Sequence, residues 1–472
     1  RDENGISSVG AVIDGAFGND PLSTPPKDDD GSGNVTYRFP FAQHVEDIKV
    51  PVLVTYPTDN NCTKPFKTII FQHGITTDRT ASLGFANSMA SPTTGCFATV
   101  AIDLPTHGLD ASTTTPDGDP VRYSAFNAFN VAGFVLPPVD PNDPTTTPTP
   151  FAATLAGLAA NQVTTFADLG ERHENLALNA MQEPVAMNFA VDSESGNSGD
   201  MFINLTNFQQ TRDHLRQAVM DMLNLNASIA AMDIDGDGNG TNNDDPDLDA
   251  SNVHFAGHSL GAITGLTFVA VNNAIANNPA ITDKELNPIK TAVLANPGGQ
   301  LPKLLENSPS FSAKILPGLA NAAGLTQGMS DLEKFFSIFQ APLDSVDPIN
   351  FTELLKSTDT PVLMFEMVGG GAVSTADASA GKLPTALVNA GGYPADTVVP
   401  NNANPALNNV ATGKSYLAGT DPLIKQLGLV EVPPTPTNQA GSLLVTKFDQ
   451  GTHGTFSSAD APLVFVEMIQ KT

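Results

Sequence analysis

The chain has 472 residues, 40% hydrophobic and 15% charged, a balance that folds around a large core with room for two or three domains or one elaborated domain. Fifty acidic residues against 22 basic ones give a net charge of −28, a field that repels DNA, RNA and anionic head groups and sets nucleic acid aside as a partner. No run of 18 apolar residues occurs, so no membrane-spanning helix is expected.

Residues 1–34 are rich in Gly, Asp, Pro and Ser and read as an irregular lead-in to one domain over 35–472. From there short apolar stretches recur: VTYRF, IKVPVLVTY, TIIFQHG, FATVAIDLP, NVHFAGHS, KTAVLANPG, TPVLMFEMV and SLLVTKFDQ. Long crossovers with helical patterning separate most of them, which predicts an α/β fold with a mostly parallel central sheet flanked by helices. The first two stretches, closer together, are expected at an antiparallel edge. Two crossovers exceed what one helix needs and are expected to be insertions. Residues 112–207 hold the extended spacer PPVDPNDPTTTPTP and the small apolar run FAATLAGLAA. Residues 301–358 carry Leu304, Leu305, Phe311, Phe335, Phe336 and Phe339, enough apolar surface for two or three helices. Each insertion either covers a site as a cap or lid, or packs against the main domain. Between them, NFQQTRDHLRQAVMDMLNLNASIAAM predicts an amphipathic helix with Leu215, Val219, Met222, Leu223 and Ile229 on one face.

The two cysteines, Cys62 and Cys96, each lie just ahead of an apolar strand, FKTIIF and FATVAI. If those strands are parallel neighbours, both thiols sit at one edge of the sheet and a disulfide follows, pointing to an oxidising compartment. Two reduced thiols are the alternative. A chain starting at Arg1 without Met or signal segment is that expected of a processed product.

In SNVHFAGHSLGAITG, Val253 to Ala256 read as the end of a buried strand, and Ala262, Ile263, Leu266, Val269 and Ala270 recur at helical spacing. The turn between must be tight, and Gly257 and Gly261 supply the minimal side chains two positions either side of Ser259. Such a turn lifts the serine oxygen to a helix N-terminus, where backbone N–H groups favour developing negative charge. A serine hydroxyl needs a base and a carboxylate to orient it, and with this kind of turn they follow in the order acid, then histidine. Seven of the eight histidines precede Ser259; only His453, in DQGTHGTF after the last predicted strand, follows it. Asp396, in YPADTVVPNN, is the first choice of acid, with Asp377 and Asp421 as alternatives. Backbone amides of Ile75, in the turn after TIIFQHG, and of Leu260 would form an oxyanion hole, with His73 shaping the turn rather than transferring protons.

The acidic loop MDIDGDGNGTNNDDPDLD alternates Asp233, Asp235 and Asp237, with Asn239 at position seven and Asp244 at position twelve. Calcium needs six or more oxygens around a tight turn, and this spacing supplies them, although position twelve is ordinarily glutamate. Asp245, Asp247 and Asp249 are substitutes, and a solvated acidic linker is the plainer alternative. The ion's expected role is structural, and no organic cofactor is expected.

QHGI, IDLPTHG, GHSLG, DTVVP and GTHG together resemble the α/β-hydrolases over about residues 35–472. More narrowly, FQHGITTDR, the long insertion, INLTNFQQTRDHLRQAVMD and GHSLGAI are similar to bacterial extracellular or surface lipases of the virulence-factor group. The resemblance implies an α/β-hydrolase fold with two large cap or lid insertions, and hydrolysis of carboxylic esters of lipids or lysophospholipids through Ser259, Asp396 and His453. It departs from the larger members at its start, since those carry additional N-terminal sequence. Secretion or surface exposure and peripheral contact with lipid aggregates are expected to accompany that activity. An acyltransferase or peptidase using the same triad, and a calcium-stabilised surface binding protein without catalysis, are the other readings.

Overall fold

The computed structural model describes residues 48–108, 171–174, 176–178, 184–186, 197–234, 246–281, 285–379, 381, 383–403, 417–433 and 442–472. The chain divides into two units, Arg1–Lys49 and Val50–Thr472, and the second holds all the elements described. The 1–34 lead-in, the VTYRF stretch and the proline-rich spacer lie outside the described residues.

Strand β1 (Val52–Thr55) is followed by β2 (Phe66–Gln72), which shows why the centre of the molecule is a sheet. Phe66 and Ile70 are buried in one apolar cluster and Ile69 and Phe71 in another, the two-residue alternation of a strand covered on both faces. The same division continues through β3 (Phe97–Ile102), β6 (Leu248–His258), β7 (Ile289–Ala295), β8 (Val362–Met367) and β10 (Leu443–Phe448). The sheet order is β1-β3-β2-β6-β7-β8-β10-β9, where β9 is Val430–Glu431. Only β1 runs antiparallel, against β3; every other pairing in this sheet is parallel. A separate two-stranded ladder joins β4 (Leu176–Leu178) to β5 (Pro184–Ala186). Neither β9 nor this ladder was expected, because two or three residues are too few to display a period.

Helices cover the two faces. On one lie α1 (Leu83–Met89) and, at the C-terminal end, α9 (Pro462–Lys471), whose Phe85, Met89, Val464 and Met468 meet Phe71, Phe365 and Phe448 of the sheet. On the other lie α2 (Phe208–Ser228) and α3 (Leu260–Ala276). Asn207 caps α2 by accepting the Gln210 amide at 3.2 Å, satisfying one of the free donors at the helix start. Leu215, Val219, Met222 and Ile229 are buried as the periodicity predicts, but Leu225 is buried where Leu223 is only partly so. Helix α3 departs from an amphipathic pattern, burying 14 of its 17 residues between the sheet, α2 and α7 (Thr352–Ser357). Residues 301–358 form α4 (Leu301–Asn307), α5 (Pro309–Ala323), α6 (Ser330–Leu343) and then α7. Helix α6 buries Leu332, Phe336, Phe339 and Leu343, whereas α5 buries no residue fully.

The parallel pairing of Lys67 with Phe97 puts both cysteines at one edge, and Cys62 and Cys96 form a disulfide with Cα atoms 5.5 Å apart. Among the described residues no helix is long and apolar enough to cross a membrane.

Candidate active site

Strand β6 ends at His258 and α3 begins at Leu260, so Ser259 alone turns the chain. It does so at φ 55° and ψ −120°, where a residue with a Cβ pays roughly 1–3 kcal/mol in strain. The surroundings enforce it. The Ser259 amide donates to the Ala295 carbonyl at 2.8 Å, and the Ser259 carbonyl accepts from the Ala262 and Ile263 amides, both at 2.9 Å. A Cβ on Gly261 would stand 2.2 Å from the Gln72 carbonyl oxygen, and one on Gly257 would stand 2.6 Å from that of Gly261. The helix therefore approaches the strands only because both positions lack side chains, which is the physical content of the G-x-S-x-G spacing.

Beyond β2 the chain passes directly over the serine, since a Cβ on Gly74 would lie 2.9 Å from Ser259 Cβ. The Gly74 carbonyl accepts from His73 Nδ1–H and from the Thr77 hydroxyl, both at 2.8 Å. The C=O and N–H of a trans peptide point in opposite directions, so the Ile75 amide faces away from these two donors. His73 Nε2 accepts the Leu104 amide at 3.0 Å, which sets the tautomer. Burial, reinforced by the positive charge of Arg79, lowers the His73 pKa to about 3, and the ring stays neutral. The second expected amide, that of Leu260, is the first in α3 and has no preceding helical carbonyl to meet.

The acid and the histidine come from the far side of the sheet. Asp396 returns to the end of β8, its amide donating to the Met367 carbonyl at 3.0 Å. Its Oδ1 accepts the Val398 and Val399 amides at 2.8 and 2.9 Å, and its Oδ2 accepts His453 Nδ1–H at 2.7 Å. The alternatives are engaged elsewhere. Asp377 accepts the hydroxyls of Ser374 and Tyr393, and Asp421, at the start of α8 (Thr420–Leu427), pairs with Lys447 at 2.9 Å. His453 follows β10 in a loop where Gly451 adopts φ 98°. The His453 carbonyl accepts from His258 Nε2–H at 2.7 Å and from Asn296 Nδ2–H at 2.9 Å. His258 precedes Ser259, and Asn296 follows the residue whose carbonyl holds the Ser259 amide. Segments 195 residues apart in the chain are thereby joined beside the serine turn. An imidazole whose Nδ1–H rests on a buried carboxylate offers Nε2 as a base. Neither His258 nor Asn296 stood out in the sequence; adjacency to Ser259 was the only signal for the first.

The loop carrying Ile75 is supported by buried charge. The Arg79 guanidinium bonds both oxygens of Glu171 at 2.8 Å and also pairs with Asp103, whose Oδ1 accepts the Arg79 amide at 2.7 Å. Arg172 donates to the Asp103 carbonyl and, at 2.6 Å, to Asp221 of α2. Burial, with the nearby Asp103 carboxylate, raises the Asp78 pKa to about 6. Glu171 and Arg172, which lie within the 112–207 stretch, thus tie the turn over Ser259 to the end of β3 and to α2.

Of the expected calcium ligands, Asp233 is described, while Asp235, Asp237, Asn239 and Asp244 lie outside the described residues, as does the substitute Asp245. Asp247 is committed elsewhere, accepting the Ile234 amide at 2.7 Å and pairing with Lys64. Asp249 accepts the amide and hydroxyl of Ser251 at 2.9 and 2.6 Å.

No family model and no curated protein matches the chain. Among solved structures it is similar to Est1E from Butyrivibrio proteoclasticus with ferulic acid bound, at 11% identity and a TM-score of 0.34 over 89% of this chain and 95% of that one. A lipase in an open form gives 10% identity and 0.34 over 90% and 95%. An esterase from the archaeon Pyrobaculum calidifontis gives 10% and 0.32 over 90% and 81%. At such low scores these likenesses add nothing to what the chain's own topology shows. The sheet order, the strained serine between β6 and α3, the carboxylate after β8 and the histidine after β10 give this chain the α/β-hydrolase fold.

Proposed function

We propose that the chain is a serine carboxylic-ester hydrolase, a lipase, esterase or lysophospholipase. The observation that carries this reading is the 2.7 Å bond from His453 to Asp396, on a loop whose backbone is tied to the strained turn of Ser259. In this mechanism His453 Nε2 takes the Ser259 hydroxyl proton as the oxygen attacks the ester carbonyl, and the Ile75 and Leu260 amides receive the oxyanion. The protonated histidine returns its proton to the leaving alcohol, leaving an acyl-serine. Water, deprotonated by the same histidine, then releases the acid.

An acyl chain rather than a polar group is favoured by α5, whose partly buried Phe311, Ile315, Leu316 and Leu319 form an apolar face. That helix starts against the acid loop, the Ser310 amide donating to the Thr397 carbonyl at 2.9 Å. The disulfide fits an extracellular or cell-surface location. The spacing of Asp233, Asp235, Asp237, Asn239 and Asp244 supports a structural calcium ion at the end of α2.

Hydrolysis of p-nitrophenyl esters of graded chain length tests the reading. The expected result is turnover by the wild type, fastest with medium or long acyl chains, and loss of it in Ser259→Ala. A folded wild type inactive on every chain length, or an equally active Ser259→Ala, contradicts it. Acyl transfer to an added alcohol in place of hydrolysis would move the assignment to an acyltransferase.

A further inference from the structure

We infer that His258 and Asn296 are positioning residues that hold the main chain of His453 in register with Ser259. This rests on the reading of Ser259 and His453 as nucleophile and base. A carbonyl oxygen has two lone-pair directions, and in His453 both are taken, by His258 Nε2–H at 2.7 Å and Asn296 Nδ2–H at 2.9 Å. Both donor side chains are buried, 4% exposed or less.

The geometry fixes what each side chain is. Because Nε2 of His258 donates, Nδ1 is a bare acceptor, and it is buried without a hydrogen-bond partner; the same holds for Oδ1 of Asn296. Two buried acceptors left unsatisfied are unfavourable, and such groups are scarce in folded proteins. Their opposite ends make one shared contact, and that contact is with the proposed base. Within the loop, Thr452 and Thr455 on either side of His453 both bond Asp460, but these contacts stay on the loop's own side and none reaches the Ser259 turn. The Asp396 bond orients the imidazole ring but leaves the Cα free to move with the loop. Fixing the carbonyl removes that freedom, so the ring is held by its one bond to Asp396 and the backbone by two bonds at the carbonyl.

Histidine rather than lysine or arginine suits the place, because the two rings lie 4.9 Å apart between centroids. A permanent cation there would oppose the imidazolium that His453 becomes during turnover. Burial, aided by His453, lowers the His258 pKa to about 3, and it donates without charge. The only anion among the groups acting on it is Asp396, which already bonds His453.

The test compares wild type with His258→Leu, His258→Gln, Asn296→Leu and the double Leu variant. Measured are kcat and KM on a p-nitrophenyl ester, the rate of fluorophosphonate labelling at Ser259, and thermal melting. His258→Leu is expected to lower kcat and the labelling rate together by about ten- to a hundredfold, with KM within about twofold of wild type. His258→Gln keeps an N–H donor and should recover most of the loss, which mere space-filling would not produce. The double variant should lose less than the product of the two single losses, because both donors serve one oxygen. Wild-type kcat and labelling rate in folded His258→Leu overturn the inference, as does a His258→Gln variant that melts normally yet recovers nothing. If His258→Leu fails to fold, His258→Gln and Asn296→Leu carry the same comparison. A wild type unlabelled at Ser259 removes the underlying reading and the inference together; labelling at Ser259 that is indifferent to both positions removes the inference alone.

Discussion

On the β2 and β3 side of the site, the turn over Ser259 rests on buried charges and neutral imidazoles: Arg79 between Asp103 and Glu171, and His73 between Leu104 and Gly74. On the β8 and β10 side, Asp396 is held by the Val398 and Val399 amides, and His453 by Asp396 and by the uncharged side chains of His258 and Asn296 at its carbonyl. The two constructions fail differently. A buried charge that loses its partner leaves an uncompensated ion in low dielectric, so damage on the first side appears as lost stability. A carboxylate held by amides can lose its charge and keep its place, so damage on the second side appears as lost turnover.

The largest separation of the two is expected from Asp396→Asn. The Asn Oδ1 still accepts the Val398 and Val399 amides, so melting should stay near wild type, while kcat on a p-nitrophenyl ester falls by roughly 10⁴ through the wrong histidine tautomer. A melting temperature that falls along with kcat would break the distinction. Arg79→Met is the converse: urea unfolding should show a loss of about 3–5 kcal/mol, since Asp103 and Glu171 are left buried without their cation. Arg79→Lys should repair this only in part, because an ammonium cannot bond both Glu171 oxygens as the planar fork does. Gly261→Ala, whose Cβ would meet backbone at 2.2 Å, is expected to cost on the order of 1–3 kcal/mol in the same assay and to lower kcat as the serine turn shifts.

Acidification sharpens the comparison further. His73 and His258 are held near 3 by burial, so the unfolded chain binds protons that the folded one refuses between about pH 6.5 and 3. Their contribution is complete above the unfolded value and is lost as pH falls. Each should therefore remove up to about 1.4 kcal/mol per pH unit inside that window. Urea midpoints measured from pH 7 to 5 should show the decline, and His73→Gln should flatten it. Glu366 acts with the opposite sign: burial raises it to about 7, so the folded chain binds more protons and its contribution is lost as pH rises through that value. The smallest effect expected is from calcium. A chelator should lower the melting temperature by a few degrees, corresponding to about 1 kcal/mol, and added calcium should restore it; an indifferent melting curve would remove the ion from the acidic loop.

What could be read in the sequence was what local pattern encodes. The strand, turn and helix around Ser259 announce themselves through Gly257 and Gly261, which backbone contact at 2.2 to 2.6 Å requires. His453 was singled out by chain order and Asp396 by its loop after an apolar strand, and the fold brings these two side chains to 2.7 Å. The roles of His258 and Asn296 were invisible because both depend on a carbonyl 195 and 157 residues away, and no spacing rule reaches that far. The Arg79, Asp103 and Glu171 array was hidden for the same reason: Arg79 meets Asp103 across 24 residues and Glu171 across 92. Helices α5 and α6 both carry apolar residues at helical spacing, yet only α6 buries any of them fully.

The most direct measurement of the central claim is fluorophosphonate labelling of the intact chain followed by mass mapping, alongside Ser259→Ala and His453→Ala. A single adduct is expected on position 259, absent from the first variant and formed far more slowly in the second. An adduct on a different residue, or none on a folded wild type, would contradict the account.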